Sequence, residues 1–127
     1  MNLVSEEQQS LFDSLPSPKS CRVLDFESAE VLTETPLGYW ALFVHGEKPY
    51  EAMWVTLQPL YYVQQPEYWG IEVVGCLPSG PVTDLTGNYV AILPLPGVMG
   101  TKGIEVIGAS GSKTIDLPSD YDGPKLW

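Results

Sequence analysis

The sequence predicts an all-β domain, mainly an antiparallel sandwich or a small, partly open barrel, preceded by one short helix. Three observations support this prediction. Apolar and polar residues alternate with period two from residue 21 onwards, twelve glycines and twelve prolines divide the pattern into short segments, and one strand-like phrase occurs twice. Short alternating segments with regular turn signals are typical of sandwiches and barrels. We therefore expect one domain spanning residues 1–127.

A single helix is predicted over residues 5–14, before the β pattern begins. Ser5 and Gln8 have the spacing of a capping box, and the two glutamates between them suit the positive end of the helix dipole. Pro16 ends the segment. Because so short a helix is marginal alone, we expect it to dock on the body of the domain, residues 21–117.

Period-two alternation predicts the strands of this body. In chain order we expect them at residues 22–27, 29–33, 39–44, within 50–63, and at 68–76, 89–95, 103–108 and 113–117. Pro59 argues for an edge position or a bulge, because proline donates no hydrogen bond to a neighbouring strand. Residues 77–88 form a loop by composition, and residues 118–127 form a C-terminal tail without periodicity.

The repeated phrase is Gly-Ile-Glu-Val-Val-Gly at residues 70–75 and Gly-Ile-Glu-Val-Ile-Gly at residues 103–108. Glycines at both ends of a β-branched run predict a short strand closed by turns. A similar apolar run precedes each copy, at residues 55–60 and 91–95. Two interpretations stay open: an internal duplication of a two-strand unit, which would make the fold pseudo-symmetric, and chance recurrence.

The charge balance excludes some classes of partner. Sixteen acidic residues against six lysines and arginines give a net charge of −10, and the cations are scattered singly. Nucleic acids and anionic membranes are bound by clustered cations, so neither is expected as a partner. No apolar run approaches the ~20 residues of a membrane span. The net acidity is interpreted as a source of solubility.

Cys21 and Cys76 are the only cysteines, and neither has the spacing of a metal or redox motif. The N-terminus lacks the basic and then apolar pattern of a secretory leader. We therefore expect a cytoplasmic protein with two free, buried thiols, the alternative being one bridge between them.

Few side chains offer chemistry. His45 is the only histidine, which excludes a catalytic histidine pair and a multi-histidine metal site. The motif around Ser110 is one residue short of a nucleophile elbow and is interpreted as a turn. A dyad of His45 with Cys21 or Cys76 stays open beside the favoured alternative of two inert core thiols. We predict no catalytic residue and no metal site.

Glu72 and Glu105 occupy the same position in the two copies of the phrase. If symmetry brings the two strands together, these carboxylates can share an acid/base site. Their alternation with apolar neighbours favours solvent-facing side chains instead.

Aromatic residues are densest between residues 39 and 69. Adjacent pairs point to opposite faces of a strand, so one member of each pair lies away from the core unless the sheet is buried on both faces. Exposed aromatic faces bind proteins or flat ligands. The candidate binding residues are Tyr39, Trp40, Trp54, Tyr61, Tyr62, Tyr68 and Trp69.

The sequence thus predicts a small, cytoplasmic, non-enzymatic β-domain that binds another protein, or itself, through an aromatic-rich sheet face. A two-fold homodimer is the expected assembly. The alternative is a β-barrel that carries a flat hydrophobic molecule such as haem, with His45 as its ligand.

Overall fold

The computed structural model describes residues 20–33, 35–36, 38–80 and 85–117, and these form eight strands in two sheets. The strands are β1 (Cys21–Val23), β2 (Ser28–Leu32), β3 (Ala41–Lys48), β4 (Trp54–Pro59), β5 (Tyr68–Cys76), β6 (Gly87–Pro94), β7 (Gly103–Ile107) and β8 (Ser112–Asp116). The predicted all-β class is confirmed. The helix predicted at 5–14 and the tail at 118–127 lie outside the described residues.

Sheet B contains three antiparallel strands in the order β2–β3–β6. Successive residues of a strand point to opposite faces, and the large side chains of β3 that are fully buried, Leu42 and Val44, lie on one face. Ala29 and Ala91 lie opposite Val44 and are buried with it. This face of sheet B therefore packs on the core, and the other face points away from it.

Sheet A is organised around the long strand β5. Val74 pairs with both Val23 and Thr56, so β1 and β4 lie on opposite edges of β5. β7 pairs with the first half of β5, on the edge that β1 occupies further along, and β8 pairs with β7. The β5–β7 pairing is parallel and the other pairings are antiparallel. Pro59 ends β4, an edge strand of this sheet, as its chemistry requires.

The space between the two sheets is filled with apolar side chains. The largest fully buried side chains come from both sheets and from the loops between them: Leu42, Met53, Ile71, Leu95, Met99, Ile104, Val44, Val73 and Val106. Close packing of this kind leaves little room for a ligand within the sandwich. The two sheets remain separate, so the fold is a sandwich and not a closed barrel.

Tyr89 links sheet B to the segment between β1 and β2. It lies on the core face of β6 opposite Gly46, and its hydroxyl donates to the carbonyl oxygen of Asp25 at 2.7 Å. Burial, together with the nearby carboxylates of Asp25 and Glu27, raises the pKa of Tyr89 to about 12. A side chain at Gly46 would stand 3.0 Å from the Tyr89 hydroxyl, so the glycine leaves room for this crossing.

The two copies of the repeated phrase lie side by side in β5 and β7. They are displaced by two residues, so that Glu105 lies opposite Gly70. A two-strand unit forms around the first copy, where β4 pairs with β5, but not around the second, because β6 lies in sheet B. Gly70 and Gly75 lie within β5 and do not close it with turns. At Gly75 an added Cβ would come within 2.5 Å of Leu24 and Met53, which explains the glycine by close packing.

The expectation of two free thiols is wrong. Cys21 and Cys76 are joined by a disulfide. β1 runs antiparallel to the end of β5, and this register places the two Cα atoms opposite each other, 4.0 Å apart. The residues are separated by 55 positions in sequence, so local pattern contains no signal of their contact.

Candidate functional site

The seven aromatic candidates do not form one face. Trp69 is buried, 7% exposed, and its ring N–H donates to the carbonyl oxygen of Leu60 at 2.9 Å. Tyr62 packs edge-on against Trp69 with ring centroids 5.2 Å apart, and its hydroxyl accepts a hydrogen bond from the Gly70 N–H. These two aromatic residues hold the loop after β4 against β5 and have a structural role.

The other five candidates lie in separate places. Tyr39 and Trp40 are half-buried just before β3, and Trp40 packs against the core. Trp54 and Tyr68 lie on the outer face of sheet A, where Trp54 is 40% exposed. Tyr61 is 88% exposed in the loop after β4. The pair Tyr68–Trp69 splits because two adjacent strand residues face opposite sides and one side here is the core, whereas the other two pairs lie outside the strands.

The outer face of sheet A carries polar side chains beside Tyr68. The Tyr68 hydroxyl donates to the Asp116 carboxylate at 2.5 Å, and this hydrogen bond raises the pKa of Tyr68. Glu72 and Glu105 lie on this same face, on neighbouring strands, and both are half-buried. Ser112 donates to the Glu105 carboxylate at 2.8 Å. The two glutamates are thus brought near each other on a surface and not inside an enclosed cleft.

An exposed apolar surface that sequence reasoning did not predict lies on the outer face of sheet B. Its side chains form a continuous patch across all three strands, here called the apolar face: Leu32, Phe43, Val90 and Ile92. Val90 is 67% exposed, Ile92 54% and Leu32 36%, and Phe43 is half-buried between them.

One signal of this surface was present in the sequence. β6 carries apolar side chains on both of its faces: Tyr89 and Ala91 face the core, and Val90 and Ile92 face outwards. A strand of this kind is expected to be covered on both faces. In a two-layer sandwich only one face is covered, and sequence alone does not say which.

Charged and polar side chains surround the apolar face. Glu30 lies opposite Phe43 on β2, and Glu47 lies two positions beyond His45 on β3. His45 itself is exposed on this face, opposite Val90. An apolar centre with a polar rim is the usual anatomy of a protein–protein interface.

A groove of about 390 Å³ lies between β2 of sheet B and β8 of sheet A. Apolar side chains from both sheets line it, among them Val31, Trp40 and Ile115. The Lys113 ammonium crosses the groove and donates to the carbonyl oxygen of Ala29 at 3.0 Å.

The alternatives that depend on His45 do not match this geometry. A dyad with a cysteine is not formed, because both cysteines are in the disulfide of sheet A while His45 lies on the outer face of sheet B. A haem held within the sandwich would need His45 to face the interior, which is filled by buried side chains. Across the described part of the chain, no three His, Cys, Asp or Glu side chains cluster as metal ligands would.

No protein-family model, curated protein or solved structure matches this chain. Residues 20–33, 35–36, 38–80 and 85–117 contain no helix long and apolar enough to span a bilayer.

Proposed function

We propose that this chain is a non-enzymatic interaction domain that binds another protein through the apolar face of sheet B. The observation that supports this most directly is the pair Val90 and Ile92, both more than half exposed on one strand and continuous with Leu32 and Phe43. Burying such a side chain fully is worth about 1.5–3 kcal/mol. A contiguous exposed patch of this composition marks an interaction surface more often than scattered apolar residues do.

The rigidity of the apolar face also favours binding. Valine and isoleucine on a three-stranded sheet are β-branched and have restricted χ1 angles, so they lose little rotamer entropy on contact. The ladders β2–β3 and β3–β6 hold these side chains in fixed register. The surface is therefore preformed, and little conformational entropy is lost when a partner binds to it.

The charges indicate the kind of partner. Each copy carries a net charge of −10, and Glu30 and Glu47 stand at the rim of the apolar face. Two copies therefore repel each other at low ionic strength, whereas a partner with lysines or arginines around an apolar patch is attracted. We propose such a basic-rimmed protein as the partner, and the homodimer expected from the sequence becomes the competing outcome.

Site-specific photo-crosslinking in the cells that express the protein tests this proposal. A photoreactive amino acid replaces Val90 in one variant and, as the matched control, Tyr61 in another, because Tyr61 is also exposed but lies outside the apolar face. We expect a discrete product from position 90 that is absent from position 61. A product of twice the 14.0 kDa chain mass would replace the proposed partner with a second copy. The absence of any product specific to position 90 would refute the proposal.

The disulfide bears on where the protein acts. Disulfides persist in oxidising compartments and are rare in the reducing cytoplasm. The Cys21–Cys76 bridge therefore supports an oxidising compartment, which we propose in place of the cytoplasmic location expected from the sequence. Rapid acid quenching of cells followed by thiol alkylation measures the redox state, and full alkylation of both cysteines would contradict this.

A further inference from the structure

We propose that the groove between β2 and β8 binds an extended, basic peptide segment, which adds as a strand to the free edge of β2. This inference concerns a different surface from the apolar face and does not depend on it. The argument starts from the strand edges. β2 ends sheet B and β8 ends sheet A, so within the described part of the chain each strand has one edge without a neighbouring strand in its sheet.

The hydrogen bond of Lys113 identifies the backbone groups that point outwards from the free edge of β2. The Lys113 ammonium reaches the Ala29 carbonyl from the β8 side, so this carbonyl points away from β3. In an antiparallel ladder the N–H and C=O of one residue share a direction that alternates along the strand. Val31, two positions on, therefore presents its N–H and C=O at the same edge, towards the groove.

The Lys113 ammonium lies where the backbone N–H of a neighbouring strand would lie to donate a hydrogen bond to β2. This ammonium makes the hydrogen bond to Ala29 that the N–H of an added strand would make. A lysine at an open edge also protects it against unwanted pairing. Among the described residues, the side chain that covers this edge by a hydrogen bond is Lys113, which is flexible and can be displaced by an incoming backbone.

The walls of the groove indicate the composition of the peptide. Val31, Trp40 and Ile115 supply apolar surface for a side chain of the added strand that points inwards. Glu30 and Asp116 also line the groove and are exposed. With a net charge of −10 on the chain, these carboxylates favour basic side chains at the alternate positions of the peptide. A short extended segment that alternates apolar and basic residues fits these requirements.

Titration calorimetry with synthetic peptides tests the proposal. The probe is a capped five-residue peptide that alternates lysine and valine, and the controls are the same peptide with N-methylated valines and a version with glutamate in place of lysine. We expect the unmodified peptide to bind and each control to bind about tenfold more weakly, because the first lacks backbone donors and the second reverses the charge. No measurable binding of the lysine–valine peptide, or equal binding of the N-methylated one, would overturn the proposal.

Two lysine variants separate a covering role of Lys113 from a merely structural one. Lys113→Ala removes the competing donor at Ala29 and should tighten peptide binding several-fold. Lys102→Ala removes the same charge from a surface pair with Glu67 outside the groove, and should leave peptide binding unchanged. Equal affinities in the two variants would show that Lys113 does not cover the edge and would refute this mechanism.

Discussion

The disulfide between Cys21 and Cys76 allows the sharpest quantitative expectation. It closes a loop with a sequence separation of 55. In the chain-entropy description, a cross-link over about 55 residues removes about 14 cal/mol/K from the unfolded state, which corresponds to about 4 kcal/mol at 25 °C. The total stability of a domain is about 5–15 kcal/mol. We therefore expect that reduction removes a large fraction of the stability of this fold.

Thermal unfolding with and without a phosphine reductant is the assay. At about 4 °C per kcal/mol for a domain of this size, reduction should lower Tm by roughly 15 °C. The control is the double variant Cys21→Ala/Cys76→Ala, whose Tm should not respond to the reductant. Hydrogen exchange should locate the first loss of protection in β1, which has three residues and, among the described strands, pairs only with β5. A reduced protein that melts within about 2 °C of the oxidised one would refute the loop-entropy reasoning.

Three further expectations concern the core, the pH response and one glycine. Val73→Asp places an unpaired charge at a fully buried position and should lower the free energy of unfolding, measured by urea denaturation, by several kcal/mol. Glu72→Gln on the outer face of the same strand should change this free energy by less than about 0.5 kcal/mol. A larger effect at Glu72 would return the paired carboxylates to consideration. Because folding raises the pKa of Tyr89 from 10.0 to about 12, the stabilising contribution of this group is complete below pH 10 and is lost as the pH rises towards 12. Tyr89→Phe should flatten the plot of unfolding free energy against pH in this range. An unchanged plot would contradict the raised pKa of Tyr89. Gly103→Ala should lower Tm, because the added Cβ meets the backbone carbonyl of Ile115 on the neighbouring strand. Gly111→Ala is the control, because its added Cβ has no atom of the described residues within 4 Å. Equal melting of the two variants would argue against the close approach.

The candidate site shows where sequence reasoning ends. The sequence predicts a strand that contains Val90 and Ile92, but it favours the aromatic residues as the binding face, because their density is visible in the sequence. The structure covers Trp69 and leaves Val90 exposed. Which side chains are exposed depends on which face of each strand packs against the second sheet. Because β6 is apolar on both faces, its sequence pattern does not indicate which face is buried.

The sequence by itself determined the strands of this protein. Period-two alternation and turn residues predicted a segment that overlaps each of the eight strands, and β5 with both of its ends, because a strand's pattern reflects local packing against one face. The segment predicted at residues 22–27 shares only residues 22 and 23 with β1. Only the tertiary structure decided how the strands pair: the parallel contact of β5 with β7, the assignment of β6 to sheet B, and the register that joins Cys21 to Cys76. These contacts connect residues far apart in the chain, and their energy comes from burying both partners at once. No single segment carries the information that specifies its distant partner.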